Sequence, residues 1–131
     1  MPYGETTSPE IERVASVIVD AAFKVHTELG AGLLESVYEA CLEYELKKRG
    51  LIVRRQVMIP IIYDGVQLDA GLRIDLMVND CVIAEAKSVE KCIPLFDAQL
   101  LTYLKLSGKR LGLLINFNTK LIKDGIKRVI L

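Results

Sequence analysis

The stretch RIDLMVNDCVIAEAKS, residues 73–88, combines strand-forming residues with three charged side chains. Ile, Leu, Met and Val dominate the first half, Val, Ile and two Ala are the apolar residues of the second, and the Asn-Asp between them is typical of a turn, so the stretch predicts a β-hairpin. Asp75, Glu85 and Lys87 interrupt this apolar pattern where a buried sheet would favour Val or Ile. The three charges are therefore the first candidates for a functional site.

The length of the turn decides whether these charges meet. Side chains alternate across a strand, so Glu85 and Lys87 lie on one face of theirs. A two-residue turn would make Asp75 point away from Glu85, whereas a three-residue loop that includes Cys81, or an equivalent bulge, places them opposite each other. We predict the longer loop because it brings the charges together. In the strand before the turn, the same alternation assigns Leu72, Ile74, Leu76 and Val78 to one face and Arg73, Asp75 and Met77 to the other.

Two carboxylates brought together on a sheet repel each other unless a cation lies between them. A magnesium ion would remove this repulsion. It takes oxygen ligands, accepts one or two protein carboxylates, and leaves positions for water and a substrate phosphate. A metal-bound water is a nucleophile for a phosphodiester. Lys87 could orient that water or neutralise charge that develops on the phosphate. The simpler alternative is a surface salt bridge between Lys87 and either Asp75 or Glu85.

The rest of the chain alternates between helical and strand patterns. Two amphipathic helices, joined near Gly30 and Gly32, precede any strand. Asp64-Gly65 then predicts a hairpin, and Pro60 indicates an edge strand or a bulge. A helix that begins at Pro94 separates the IAEAKS strand from RLGLLINF, so a right-handed crossover predicts that these two strands are parallel. The stretch after them turns at Asp124-Gly125 into a short strand or helix.

Composition narrows the class of protein. The chain of 131 residues predicts a single domain over residues 1–131. Three cysteines without a C-x-x-C pair and a single histidine, His26, disfavour a zinc cluster or a disulfide framework. The net charge is zero, although the last third is locally basic and could contact phosphates. No membrane span or signal peptide is predicted, so we expect a soluble cytoplasmic protein.

These patterns resemble the PD-(D/E)XK nuclease superfamily and, within it, the GxxExxY family. The naming motif reads GLLESVY, residues 32–38, after VHTELGAG. It is followed in order by YDGVQL, RIDLMV, IAEAKS, AQLLTYL and RLGLLINFN, so that the resemblance covers about residues 20–128. It implies an α/β, restriction-endonuclease-like sandwich, in which helices flank a central mixed sheet and the core order is α-β-β-β-α-β.

The resemblance also assigns roles to residues. It implies Asp75 and Glu85 as metal ligands, Lys87 as the catalytic lysine, and Glu35 as a helical glutamate that helps to hold the metal or its water. Gln99 matches a glutamine that steadies the phosphate or the lysine, and Phe96 stands where a histidine is frequent. Residues expected to bind substrate or support the site are Tyr38, Tyr103 and Arg73. Without the resemblance, Tyr38 and Tyr103 would be core aromatics and Gln99 a surface amide.

The function implied is a nuclease that hydrolyses phosphodiester bonds, most readily in DNA, with Mg²⁺ or Mn²⁺. The chain is too short to include a separate base-reading domain, so a dimer, a partner or the shape of the nucleic acid would supply specificity. A homodimer fits cleavage of both strands of a duplex. The alternative is a non-catalytic module that binds nucleic acid or protein on the same fold.

Overall fold

The computed structural model describes residues 7–131. Within this part of the chain, three α-helices flank one five-stranded sheet. The elements in chain order are α1 (Pro9–Leu29), α2 (Glu35–Lys48), β1 (Val53–Tyr63), β2 (Val66–Val78), β3 (Val82–Lys87), α3 (Pro94–Ser107), β4 (Leu111–Asn116), a 3₁₀-helix (Ile122–Gly125) and β5 (Ile126–Ile130). The predicted element order is confirmed, and the last stretch supplies both a short helix and a strand.

Local signals in the sequence set the ends of the helices. Pro9 is the first residue of α1, and Ser8 caps it by accepting a hydrogen bond at its Oγ from the backbone N–H of Ile11. Pro94 begins α3, and Gly108 ends it in the left-handed conformation, with a φ of 73°. A proline has no N–H that needs a partner, and the N–H of Gly108 donates to the carbonyl of Leu104, so α1 begins and α3 begins and ends where the sequence predicts.

The strands follow the order β1-β2-β3-β4-β5 across the sheet. β3 and β4 are parallel and joined by α3, as the crossover rule predicts, and the other neighbours are antiparallel. β1 is an edge strand with a register shift between Pro60 and Ile61, so both expectations for Pro60 are confirmed. Asp64 and Gly65 have φ values of 55° and 74° and form the predicted two-residue turn.

Two apolar layers cover the sheet. On one face, α1 and α2 bury a cluster that includes Ile18, Leu42 and Phe117. On the other face, α3 buries Leu100 and Leu104 against Ile83 and Leu114. The sheet residue below α3 is Gly112, where an added Cβ would lie 2.7–2.9 Å from atoms of the Leu100 side chain. A glycine at this position lets α3 lie directly on the sheet.

The predicted alternation of faces along β2 is wrong at one point. Leu76 packs with the α1 and α2 layer, but Ile74 packs with Met77 in the α3 layer. The two strands change face where Gln56 of β1 and Asp75 of β2 would pair, and this pair is missing although the register is the same on both sides of it. Gln56 has a left-handed φ of 56°, which turns the strand over. No glycine or asparagine in the sequence announces this break.

Candidate active site

The candidate site lies where β2 and β3 stop pairing through their backbones. The last backbone pairs are Val78 with Val82 and Leu76 with Ala84, so the turn holds three residues as predicted. Beyond them, the backbone N–H of Asp75 donates to Glu85 Oε2 at 2.8 Å. The N–H of Ala86 donates in return to Asp75 Oδ2 at 2.9 Å. We call this pair of carboxylates between the strands the carboxylate fork.

Burial makes both carboxylates hard to ionise. Glu85 is only 6% exposed, and its burial, followed by the charge of Asp75, raises the pKa of Glu85 to about 8. Burial also raises the pKa of Asp75 to about 6. The hydrogen bond from the N–H of Ala86 has the opposite, smaller effect, because it favours the charged form. The reciprocal backbone hydrogen bonds hold two repelling groups side by side. A fold keeps such a pair only at a cost, which makes the fork a candidate for function.

A third acid, Glu39 of α2, reaches the same place. Its side chain is buried and accepts hydrogen bonds of 2.6 Å from Arg55 Nε and from Gln56 Nε2. Its charge and a hydrogen bond to its carboxyl both raise the pKa of Asp75. Gln56 is the residue with the left-handed φ, so the turned backbone and the amide contact with Glu39 occur together. Glu39 is not among the residues predicted for the site from the sequence, where its only signal is its place one helical turn after Glu35.

Lys87 ends β3 two residues beyond Glu85. Its charge lowers the pKa of both Asp75 and Glu85. The Lys87 Nζ also lies 4.5 Å from the centre of the Phe96 ring on α3, a cation-π contact. Phe96 therefore holds the lysine head from the α3 side. Within residues 7–131, no salt bridge joins Lys87 to Asp75 or Glu85. The alternative of a simple surface salt bridge is therefore not observed in this part of the chain.

The two helical residues of the GLLESVY motif lie in different surroundings. Glu35 is the first residue of α2 and is exposed, and no hydrogen bond or ion pair in residues 7–131 joins it to the fork. Tyr38 is fully buried and stacks on Phe117, with ring centroids 4.5 Å apart. Its hydroxyl donates to the carbonyl of Gly30 at 2.6 Å and accepts from the N–H of Leu33 at 3.1 Å. Tyr38 thus fastens the α1–α2 joint, and its expected role at the site stays a prediction.

Two of the remaining predicted residues, Gln99 and Tyr103, lie on α3. Tyr103 is half-buried, and burial, then the charges of Glu85 and Asp75, raise the pKa of its phenol. Gln99 lies one turn earlier and lines a shallow cavity of about 240 Å³ with Tyr103. Arg73 is exposed and pairs across β1 with Met58, outside the α3 layer. The charges of the fork thus act on Tyr103, whereas Gln99 lines the cavity next to Tyr103 and Arg73 lies outside the α3 layer.

The donors at the fork suit a hard divalent cation. Asp75 and Glu85 offer carboxylate oxygens, and backbone N–H groups occupy only Oδ2 and Oε2. Residues 7–131 contain no preformed cluster of three or more His, Cys, Asp or Glu side chains arranged for a metal. The carboxylate oxygens that remain suit an ion that takes few protein ligands and retains water, such as magnesium. No helix among the same residues is long and apolar enough to span a membrane.

Comparison with known proteins agrees with this geometry. A family model described as the PD-(D/E)XK nuclease superfamily matches residues 12–129. No curated protein and no solved structure matches the chain. The match covers nearly all of the described residues and includes the carboxylate fork, Lys87 and α3. The chain therefore belongs to the PD-(D/E)XK nuclease superfamily.

Proposed function

We propose that this protein is a divalent-metal-dependent nuclease that hydrolyses phosphodiester bonds in DNA, folded as a single domain of the GxxExxY family. The observation that carries the proposal is the carboxylate fork, in which Asp75 and Glu85 exchange backbone hydrogen bonds and both have raised pKa values. Two buried, adjacent acids without a compensating cation are unfavourable for stability, and they are the donor set that Mg²⁺ or Mn²⁺ requires.

Asp75 and Glu85 would hold the metal. Glu35, the first residue of α2, would help to hold the metal or its water. When bound, the ion supplies an acidified water and polarises the phosphate. The chain itself orients the groups around it. Glu39, held by Arg55 and Gln56, fixes the Asp75 carboxylate from the α2 side.

The residues on the other side of the fork would contact the substrate. The ammonium of Lys87, held over Phe96, would neutralise charge that develops on the phosphate. Gln99 and Tyr103, one turn apart on α3, would hydrogen-bond to the phosphate or to its leaving oxygen. These roles require Lys87 to leave the Phe96 ring by a side-chain rotation alone, because its backbone is fixed in the β3–β4 ladder.

The charge distribution supports a polyanionic substrate only locally. Three cations of the basic last third are paired with acids, namely Lys109 with Asp80, Lys127 with Asp97 and Arg128 with Glu12. Lys120 and Lys123 are exposed and make no ion pair within residues 7–131. They follow β4, whose last residue, Asn116, pairs with Lys87. These two lysines are therefore candidates for contacts with the phosphate backbone.

A nuclease panel tests the proposal. Wild-type protein is incubated with plasmid, single-stranded and branched DNA and with RNA, in EDTA, Mg²⁺ or Mn²⁺, beside Lys87→Ala. The control is Lys105→Ala, which removes an exposed lysine of α3 that makes no ion pair in the described chain. We expect metal-dependent cleavage of DNA, a loss of about 10²- to 10³-fold in Lys87→Ala, and no change in Lys105→Ala.

Thermal unfolding provides a second readout that is independent of turnover. Metal should raise the Tm of wild type and of Lys87→Ala, and Glu85→Ala should abolish that rise. Cleavage of RNA alone would contradict the DNA assignment. Neither cleavage nor metal stabilisation in the wild type would contradict the nuclease proposal and favour the non-catalytic module.

A further inference from the structure

The distal part of the β1–β2 hairpin, residues 57–73, extends beyond the rest of the sheet, and we call it the hairpin arm. β3 pairs with β2 only from Leu76 to Val78, so the arm consists of two strands with no third strand beside it in the described chain. A two-stranded ribbon is marginal in water by itself. The arm nevertheless presents large apolar side chains to solvent, including Met58 at 55% and Ile62 at 58% exposure. Such a surface is typical of an interface.

The two faces of the arm differ. Val57 and Ile59 face the α3 layer and pack against it. By alternation, Met58, Pro60 and Ile62 form the opposite face together with Arg73, which pairs with Met58. We call these four residues the outer face. A bulge in β2 opens a hollow of about 340 Å³ in the arm, lined by Met58, Pro60, Gly71 and their neighbours.

The charges of the arm disfavour nucleic acid as its partner. Residues 57–73 contain one cation, Arg73, against two acids, Asp64 and Asp69. A surface of this kind gains little from phosphate contacts, which require several cations. Asp64 at the tip and Arg73 at the base make no ion pair within residues 7–131. The arm is therefore acidic at one end and basic at the other.

We propose that the outer face of the hairpin arm binds the outer face of a second copy of this chain in a two-fold, antiparallel dimer. Along β1, Arg73 lies level with residue 58 and Asp64 lies six positions further toward the tip. A two-fold axis at Ile61, midway between them, places each Asp64 opposite the partner's Arg73. The same axis places Ile62 over Pro60 and Gly71, which line the hollow. One register thus satisfies both the charges and the shape.

The interface is small, because the outer face contains few residues compared with the 20–30 per side of a standard interface. We therefore expect a weak dimer, with a Kd on the order of 10 µM, that forms without the metal and without substrate. The interaction is independent of the carboxylate fork. A catalytically inactive Lys87→Ala protein should dimerise like the wild type.

Sedimentation equilibrium of the full chain, over about 1–500 µM, tests the proposal. Ile62→Asp should leave only monomer. The matched control is Ile52→Asp, which alters an isoleucine of 73% exposure outside the arm and should leave the dimer unchanged. Arg73→Asp should weaken the dimer about tenfold, and adding Asp64→Lys to it should restore most of the affinity. Far-UV circular dichroism verifies that each variant is folded.

The opposite results are equally definite. A wild type that stays monomeric at 500 µM overturns the proposal, and so does a dimer that persists in folded Ile62→Asp protein. A double variant that remains as weak as Arg73→Asp overturns the antiparallel register.

Discussion

Glu85 is the residue whose environment departs furthest from what its side chain prefers. Its carboxyl is buried beside another acid, with one backbone N–H as its hydrogen-bond donor. Because burial raises its pKa to about 8, the folded protein retains a proton on Glu85 at pH values where the unfolded chain has released it. Ionisation of the carboxylate fork therefore destabilises the folded protein.

This linkage predicts a pH dependence of stability with a defined sign. The raised pKa of Glu85 contributes stability that is complete below about pH 4.5 and is lost as the pH rises through about 8. In metal-free buffer, the free energy of unfolding of the wild type should decrease from pH 5 to pH 8.5, whereas that of Glu85→Gln should decrease less. Urea unfolding at several pH values measures both. Equal slopes in the two proteins would contradict the assignment of the effect to Glu85.

Glu39 shows why a candidate site is hard to complete from sequence. Asp75, Glu85 and Lys87 are conspicuous because charges are unusual in a buried strand. A glutamate on an amphipathic helix is ordinary, so Glu39 gives no such signal. Its importance comes from Arg55 and Gln56, which the fold brings to it from 16 and 17 residues away.

Removing the charge of Glu39 tests its effect on the pKa of Asp75 and on the stability of the fold. Glu39→Gln should destabilise the fold by about 1–3 kcal/mol, because Arg55 loses its buried partner. It should also lower the pKa of Asp75, because a neighbouring negative charge is gone. Urea unfolding and carboxyl-carbon NMR titration measure the two effects. Glu43→Gln is the control, since Glu43 lies 3.7 Å from the same arginine but is more exposed, and it should change little.

At the scale of elements, the turn between β2 and β3 sets the register of the site. Deleting Cys81 leaves a two-residue turn and shifts the pairing by one position, so that Asp75 no longer faces Glu85. We expect a large loss of stability and no Tm response to Mg²⁺. Cys81→Ser keeps the loop length and should retain that response. A deletion variant that still responds to Mg²⁺ would contradict the dependence of the site on this loop.

The α1–α2 joint is fastened by the hydroxyl of Tyr38. Tyr38→Phe leaves the carbonyl of Gly30 and the N–H of Leu33 without this partner, at a cost of about 1–3 kcal/mol. Because the ring stays stacked on Phe117, the fold should persist. Thermal unfolding checks the loss, with the exposed Tyr44→Phe as a neutral control. A loss of nuclease activity in Tyr38→Phe at unchanged stability would instead support the expected role of Tyr38 at the site.

The sequence predicts the elements well because each carries a local signal, such as Pro9, Pro94 or the Asp64-Gly65 turn. It also predicts the parallel pairing of β3 and β4, since handedness leaves one choice. The change of face at Gln56 and Asp75 is different. A glutamine with a positive φ is held by its tertiary contact with Glu39, and no local propensity encodes it.

For the whole molecule, the missing Gln56–Asp75 pair divides the sheet into regions of different opening rates. On one side, β3 and β4 are buried and paired on both edges, and their amides should exchange with deuterium slowly. On the other side, the amides of residues 57–73 should exchange rapidly when the protein is dilute enough to be monomeric. Hydrogen exchange with mass spectrometry resolves the two, and uniform protection across both would contradict the division.

The amide of Asp75 lies on this border, and its hydrogen is donated to a side chain instead of a neighbouring strand. Its exchange rate therefore reports whether the Glu85 carboxyl accepts this hydrogen bond. The rate should increase in Glu85→Ala, while the amides of β4 still exchange slowly. If these exchange rates are found, the β3 side of the site opens rarely and the β2 side opens often. The frequency of that opening would limit how long a bound phosphate remains enclosed.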